Sequence, residues 1–254
     1  LNEGTINADQ ANIIIRRNLG TLIKRGTLRS EQNGTLVVLD GDGSDFVNEG
    51  RIEAFGNTFV VQDANLVNAA GGEIIVGTEL RFDNQQLQLE NRQGGRITGN
   101  GYIGADLNEP LPLINEGTLA PGLPLGTLIL EGPYIQTATG VLEINVEGFD
   151  PGIPENPTDG EFGWLSVRPT CCGDPSSVAE VDGEVRFIFD AAVTPELGDA
   201  LPFLLANEIS GRFSSVSGLP ALDPELMWTL RYEHDSITAA VANASNMKDN
   251  DRFN

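Results

Sequence analysis

Residues 48–52, Asn-Glu-Gly-Arg-Ile, are one copy of a motif that recurs through the first half of the chain. In each copy a glycine precedes a polar residue and then Ile or Leu, and successive copies are 22, 24, 22, 23 and 22 residues apart. The copies are Gly4-Thr5-Ile6, Gly26-Thr27-Leu28, Gly50-Arg51-Ile52, Gly72-Glu73-Ile74, Gly95-Arg96-Ile97 and Gly117-Thr118-Leu119. A period near 22 that tolerates one or two extra residues indicates one structural coil per repeat, with the changes in length taken up at corners.

Each repeat contains three short apolar clusters. In the repeat that begins at Gly50 they are Ile52, then Phe59-Val60-Val61, then Leu66-Val67, separated by Gly, Asn and Asp. Short β-branched runs between turn residues are typical of strands, and helical spacing is not sustained here. We therefore predict an all-β fold, a right-handed parallel β-helix with three faces and about 22 residues per coil, over residues 1–132. The Ile and Leu residues of the motif should stack inward as one ladder.

Asparagines accompany the repeated glycines. Asn48 and Asn115 lie two residues before their glycines, as does Asn2, whereas Asn68 and Asn91 lie four residues before theirs. Asparagines stacked at one corner of successive coils can hydrogen-bond as a ladder, and they tolerate the left-handed backbone of a tight turn. We predict that these are structural corner residues rather than ligand-binding groups.

The period is lost after Gly132. The remainder alternates between apolar and polar residues, as in 141–146 and 184–189, which predicts half-buried strands joined by long polar or proline-rich loops. We predict a β-rich, sandwich-like C-terminal cap module over residues 133–242 and a polar tail over residues 243–254.

The chain is strongly acidic, with 37 Asp and Glu against 15 Lys and Arg and a net charge of −22. Such a charge repels nucleic acid and anionic membranes, which argues against both as partners. It fits either a solubilising coat of carboxylates or the binding of divalent cations. No run of apolar residues is long enough to form a transmembrane helix.

One segment resembles the start of a calcium-binding loop. Asp40, Asp42, Ser44 and Asp45 supply oxygen ligands close together, with glycines at 41 and 43 that allow a tight loop. The position that would carry a bidentate Glu is Arg51, so an ordinary acidic corner loop is the competing interpretation. Calcium is the one cofactor that the sequence indicates, and it does so weakly.

The two cysteines are adjacent, Cys171 and Cys172, and therefore supply no long-range cross-link within the chain. They form either a vicinal disulfide, which closes a strained ring, or disulfides to another subunit, or they are buried thiols. The flanking Pro169, Gly173 and Pro175 favour an exposed, oxidised loop. The spacing of a zinc site is absent.

The order of motifs resembles the passenger regions of bacterial autotransporters and related β-helical surface adhesins. The repeats lead into Ala120-Pro121-Gly122, and the segment that follows is similar to the cap module at the C-terminal end of such passengers. The matching residues are 126–128, 134–136, 140–144, 165–167, 194–199, 209–213 and 236–241. The resemblance implies a β-helix with a β-rich cap on the bacterial cell surface. One departure is the double-cysteine loop, residues 168–177, which interrupts the matching pattern after Val167.

Two functions remain open. The first is an extracellular structural or adhesive protein, such as a fibre subunit that binds copies of itself or surface glycans. The second is a β-helical polysaccharide-active enzyme, a lyase or glycoside hydrolase, which needs convergent acidic and basic side chains. Asp9 and Glu31 are a weak candidate pair, and His234 is expected in a surface turn. Between Leu1 and Leu128 there is one lysine, Lys24, and no histidine, which favours the scaffold.

Overall fold

A computed structural model describes residues 3–10, 12–17, 21–40, 45–83, 87–105, 110–152, 160–169 and 177–246. The described chain is all-β and is built from three sheets, each of which takes one strand from every coil. This arrangement confirms the predicted three-faced parallel β-helix. The described residues contain no helix long and apolar enough to cross a bilayer.

Strands are numbered along the chain, and within each sheet they follow one another in the order in which they are hydrogen-bonded. The first sheet contains β1 (Thr5–Asp9), β4 (Thr27–Glu31), β7 (Arg51–Ala54), β10 (Glu73–Val76), β13 (Arg96–Gly99), β16 (Thr118–Pro121), β19 (Val141–Val146), β22 (Glu184–Phe189) and β25 (Ser215–Ser217). The second contains β2 (Ile13–Arg17), β5 (Thr35–Asp40), β8 (Thr58–Gln62), β11 (Glu79–Asp83), β14 (Tyr102–Ala105), β17 (Gly126–Glu131), β20 (Gly163–Arg168), β23 (Ala200–Leu205), β27 (Ser236–Asn243) and β26 (Leu226–Tyr232). The third contains β3 (Leu22–Lys24), β6 (Phe46–Asn48), β9 (Leu66–Asn68), β12 (Leu89–Asn91), β15 (Leu113–Asn115), β18 (Tyr134–Gln136), β21 (Val178–Val181) and β24 (Glu208–Gly211).

The predicted apolar ladder is present and runs along the first sheet. Neighbouring members are aligned across each parallel strand pair, and Ile52, Ile74, Ile97 and Leu119 are fully buried. Ile6, in the first strand, is partly buried against the same core. The ladder then continues beyond the repeats through Leu142, Val185 and Val216.

The repeated glycine is required by the close approach of successive coils at one corner. A Cβ atom on Gly50 would lie 2.1 Å from the carbonyl oxygen of Arg25, and one on Gly72 would lie 2.4 Å from that of Asn48. Neither glycine has a positive φ, so backbone sterics rather than a left-handed turn exclude side chains there. Among the described residues the non-glycine residues with positive φ are Gln10, Gln32 and Asp63, so the described ladder asparagines do not adopt the left-handed backbone that they would tolerate.

The coils do not end near Gly132. β18 to β24 continue the same three sheets in the same parallel register, so the described strands form eight successive coils and extend well past the predicted end at residue 132. The sequence period disappears because segments of different length, residues 147–162, 169–177 and 190–199, are inserted between strands of the later coils. Residues 133–242 were predicted as a separate module, whereas in the structure the first part of this range continues the coils.

An antiparallel hairpin covers one side of the last coil. β27 pairs antiparallel with β23 and with β26, so the second sheet is the one that the hairpin extends. Trp228 on β26 packs against Phe189, with ring centroids 5.7 Å apart, and its Nε1 donates to the carbonyl oxygen of Pro220. The predicted final strand, 236–241, lies within β27. Of the predicted tail, residues 243–246 close β27 and form a short 3₁₀ turn, and residues 247–254 lie outside the described residues.

Candidate functional site

A chain of buried side-chain amides runs through the interior at the corner before the first sheet. Each member is aligned with the next across the third sheet, and every side-chain nitrogen except that of the last member donates to a side-chain oxygen of the following coil. We call these residues the polar ladder: Lys24, Asn48, Asn68, Asn91, Asn115 and Gln136. The donor-to-acceptor distances are 2.8 Å from Lys24 to Asn48, 2.7 Å from Asn48 to Asn68, and 2.8 Å at the next two steps. The predicted asparagine ladder is thus confirmed for its described members, and Asn2 lies outside the described residues.

The ladder is fully buried and closes on the backbone at its far end. Asn115 donates to the hydroxyl of Tyr134 at 3.3 Å, and that hydroxyl donates to Oε1 of Gln136 at 2.5 Å. The Nε2 group of Gln136 then donates to the carbonyl oxygen of Asp182 at 2.6 Å. Burial raises the pKa of Tyr134, so this hydroxyl is a neutral donor. The described ladder groups are hydrogen-bonded to one another and to the backbone, which is the arrangement expected of structural corner residues.

Lys24 is the exceptional member of the ladder. Its side chain is 1% exposed, and desolvation lowers its pKa to about 7. The negative charge of Glu53 raises this pKa, whereas the positive charge of Arg51 lowers it. A substantial fraction of such a buried amine is neutral, without its extra proton, at neutral pH. Its Nζ atom faces a side-chain amide rather than a carboxylate.

Ion pairs between coils cover the outer face of the first sheet. Arg51 pairs with both Glu53 and Glu73, and Arg96 reaches across two coils to Glu143 at 2.7 Å. The side chains of Glu53 and Glu143 are only 9% exposed. Arginines of the same and of neighbouring coils thus hold these carboxylates in place.

The outer face of the second sheet carries a different group. Tyr102 is 41% exposed and is aligned with Glu79, whose carboxylate accepts a hydrogen bond from Thr58 at 2.8 Å. Glu131 lies over Gly104, where an added Cβ would be 2.7 Å from its Oε2. Burial raises the pKa of Glu131, the charge of Glu79 raises it further, and Arg168 opposes both. A carboxyl group with a raised pKa, a second carboxylate whose charge acts on it and an exposed aromatic ring are elements of acid–base chemistry on a sugar.

The predicted calcium loop falls mostly outside the described residues. Asp42 and Ser44 lie outside them, and so does the side chain of Asp40, the last residue of β5. The carboxylate of Asp45 accepts a hydrogen bond from Asn65 at 3.3 Å. Within the described ranges no three His, Cys, Asp or Glu side chains come together as a metal-binding group. Calcium binding by this loop stays a prediction.

The remaining candidates from the sequence are distributed over the chain. Cys171 and Cys172 lie outside the described residues. Asp9 and Glu31 are aligned on β1 and β4 as predicted, but Glu31 bonds to Asn7 and Arg29. His234 is exposed in the turn between β26 and β27, which confirms the expected surface turn.

Sequence reasoning missed two groups that the fold assembles. Lys24 occupies the ladder position of an asparagine, and the signal was its place two residues before Gly26, the offset of Asn48 from Gly50. Glu79 and Glu131 are far apart in sequence, and coil stacking brings them onto the second sheet with one strand, β14, between their strands. Comparison of the sequence with known protein families and with curated proteins gave no match, so function has to be inferred from the fold and from these groups.

Proposed function

We propose that this protein is an extracellular structural or adhesive β-solenoid, a subunit that stacks head to tail into a fibre on a bacterial cell surface. The observation that carries the proposal is that the strands of the described chain build one continuous stack of coils. Eight coils at about 4.8 Å each make a rod on the order of 40 Å long. Surface glycans are the second class of partner under this proposal.

The side chains support a scaffold. The polar ladder uses its amide groups in bonds between coils, and the carboxylates of the first sheet are paired with arginines of neighbouring coils. Such repeated contacts stabilise each coil on the next, which is the energetic arrangement of repeat proteins.

The ends of the stack offer a means of assembly. Among the described strands, β1, β2 and β3 have a neighbour on one side only, and so do β24 and β25 at the other end. Unpaired strand edges are templates for pairing with another chain. A head-to-tail contact of this kind does not close on itself and generates a filament.

Lysine at an open edge tests the assembly. Val216 on β25 ends the apolar ladder, and Val216→Lys places a charge at the proposed contact. The matched control is Ile188→Lys, because Ile188 is 44% exposed on the outer face of β22. We expect filaments of the parent and of the control in electron micrographs, and monomers of Val216→Lys by sedimentation with an unchanged circular dichroism spectrum. A parent protein that stays monomeric at every concentration excludes the fibre.

A second function, a polysaccharide-active enzyme, is favoured by one observation: Glu131 has a raised pKa beside Glu79 and the exposed ring of Tyr102. Under this hypothesis Glu131 is the general acid and Glu79 is the second carboxylate. The test is release of reducing ends or unsaturated products from neutral and acidic polysaccharides. Turnover that Glu131→Gln abolishes and the exposed control Glu180→Gln retains would establish the enzyme; no turnover by the parent would exclude it for those substrates.

A further inference from the structure

Lys24 and Asn48 lie side by side in adjacent coils with the geometry of an amine facing an amide. They are aligned across β3 and β6, and Nζ lies 2.8 Å from Oδ1. Because a carbonyl bond is about 1.23 Å long, Nζ cannot be more than about 4.0 Å from Cγ of Asn48. Reacting atoms in near-attack conformers are about 3–3.5 Å apart, so a small rotation of either side chain brings these two atoms within reach.

The surroundings favour the reactive form of the amine. Lys24 is almost completely removed from water, and the charged groups that act on it are Glu53 and Arg51. Its lowered pKa, about 7, leaves a substantial fraction of Nζ with a free lone pair at neutral pH. Desolvated lysines are nucleophiles for this reason.

The amide of Asn48 is held in an orientation that suits attack on its carbon. Oδ1 accepts a second hydrogen bond from the backbone N–H of Gly50 at 3.2 Å, which would stabilise negative charge developing on that oxygen. Nδ2, the nitrogen that would leave, donates to Oδ1 of Asn68 at 2.7 Å and to the carbonyl oxygen of Glu73 at 3.2 Å. The oxygen of this amide is therefore held by its own turn and by Lys24, and its nitrogen is held by the next coil.

We propose that Lys24 and Asn48 react to form an intramolecular isopeptide bond. The lone pair of Nζ attacks Cγ of Asn48, a bond forms between Nζ and Cγ, and the bond between Cγ and Nδ2 breaks. Nδ2 leaves as ammonia and takes up the proton that Nζ loses, so nothing is oxidised or reduced and no co-reactant is needed. The product joins β3 to β6 by a covalent bond and fixes the first described coil to the second.

Mass spectrometry of the full chain tests the bond directly. The intact denatured protein should be lighter than its sequence mass by one ammonia molecule. After trypsin, residues 18–25, uncut at Lys24, should appear joined to residues 30–51, and fragmentation should place the bond between Lys24 and Asn48. Ring closure at Asn33-Gly34 or Asn100-Gly101 removes the same mass without joining two peptides, so the joined peptide is the decisive product.

Lys24→Arg is the matched variant, because arginine keeps the charge and the donor but is not a nucleophile at accessible pH. We expect the joined peptide to be absent from this variant and present in Asn91→Asp, which leaves both reacting groups in place. The proposal is overturned if the parent, incubated folded at pH 8, yields Lys24 and Asn48 on separate unmodified peptides. A joined peptide that persists in Lys24→Arg would also overturn it.

Discussion

Replacing Asn68 by alanine removes the middle of the polar ladder. Asn68 donates to Asn91 and to two backbone carbonyl oxygens, at 2.8, 3.2 and 3.1 Å, and accepts from Asn48 at 2.7 Å. The variant leaves Oδ1 of Asn91 without this donor, and it leaves Nδ2 of Asn48 with one acceptor, the carbonyl oxygen of Glu73. Each buried polar group without a partner costs about 1–3 kcal/mol, so we expect a loss of about 3–4 kcal/mol in the free energy of unfolding.

Urea unfolding followed by circular dichroism measures this loss. The matched control is Asn57→Ala, because Asn57 is exposed and its side chain donates to the exposed backbone, to the carbonyl oxygen of Asn33 at 3.1 Å. We expect a change within about 0.5 kcal/mol for the control. Because repeat proteins can unfold unit by unit, the slope of the transition is compared as well as its midpoint. If Asn68→Ala and Asn57→Ala unfold at the same urea concentration, the ladder contributes no stability and the reasoning fails.

The packing and the sequence lead to three further predictions. Ile74→Asp places an unpaired charge in the apolar ladder and should cost several kcal/mol of stability, roughly the penalty of a buried polar group without a partner. Its control, Ile14→Asp, changes a side chain that is 52% exposed and should melt like the parent. Gly50→Ala should lower the melting temperature because its Cβ would lie 2.1 Å from the carbonyl oxygen of Arg25. Gly4→Ala should not, because no atom lies within 4 Å of a Cβ at that position. Equal melting temperatures would contradict the close approach of the coils as the reason for glycine. Cys171 and Cys172 should resist thiol labelling in freshly isolated protein without reductant, and ready labelling of both would show that they are not oxidised.

The fold could be predicted from sequence because the coil repeats its chemistry at fixed intervals. The inward Ile and Leu residues, the corner glycines and the asparagines each recur once per coil, and each set is aligned in the structure. Inward stacking could be predicted because the residue two positions after each repeated glycine is Ile or Leu in every copy. The glycines were assigned correctly to corners, but the reason is the approach of the neighbouring coil, which a single sequence does not reveal.

The extent of the coils and the outer groups could not be predicted in the same way. Leu119, Leu142, Val185 and Val216 belong to one ladder, but the inserted segments make their spacing irregular, and the repeat disappears from the sequence while the coil persists. The juxtaposition of Glu79 with Glu131 depends on how three coils stack, because β14 lies between β11 and β17. Register of this kind is set by packing rather than by local pattern.

The direction of the polar ladder limits how a second copy could join the stack. Every side-chain nitrogen in the ladder donates toward the C-terminal end, so the described ladder from Lys24 to Gln136 has one direction. Copies stacked head to tail keep this direction, whereas copies stacked tail to tail would reverse it. At the other end Gln136 donates to the backbone carbonyl oxygen of Asp182, so the ladder of side chains ends on the backbone of the next coil. A head-to-tail contact would thus be held by strand edges and by the apolar ladder ending at Val216, which is why Val216→Lys tests it.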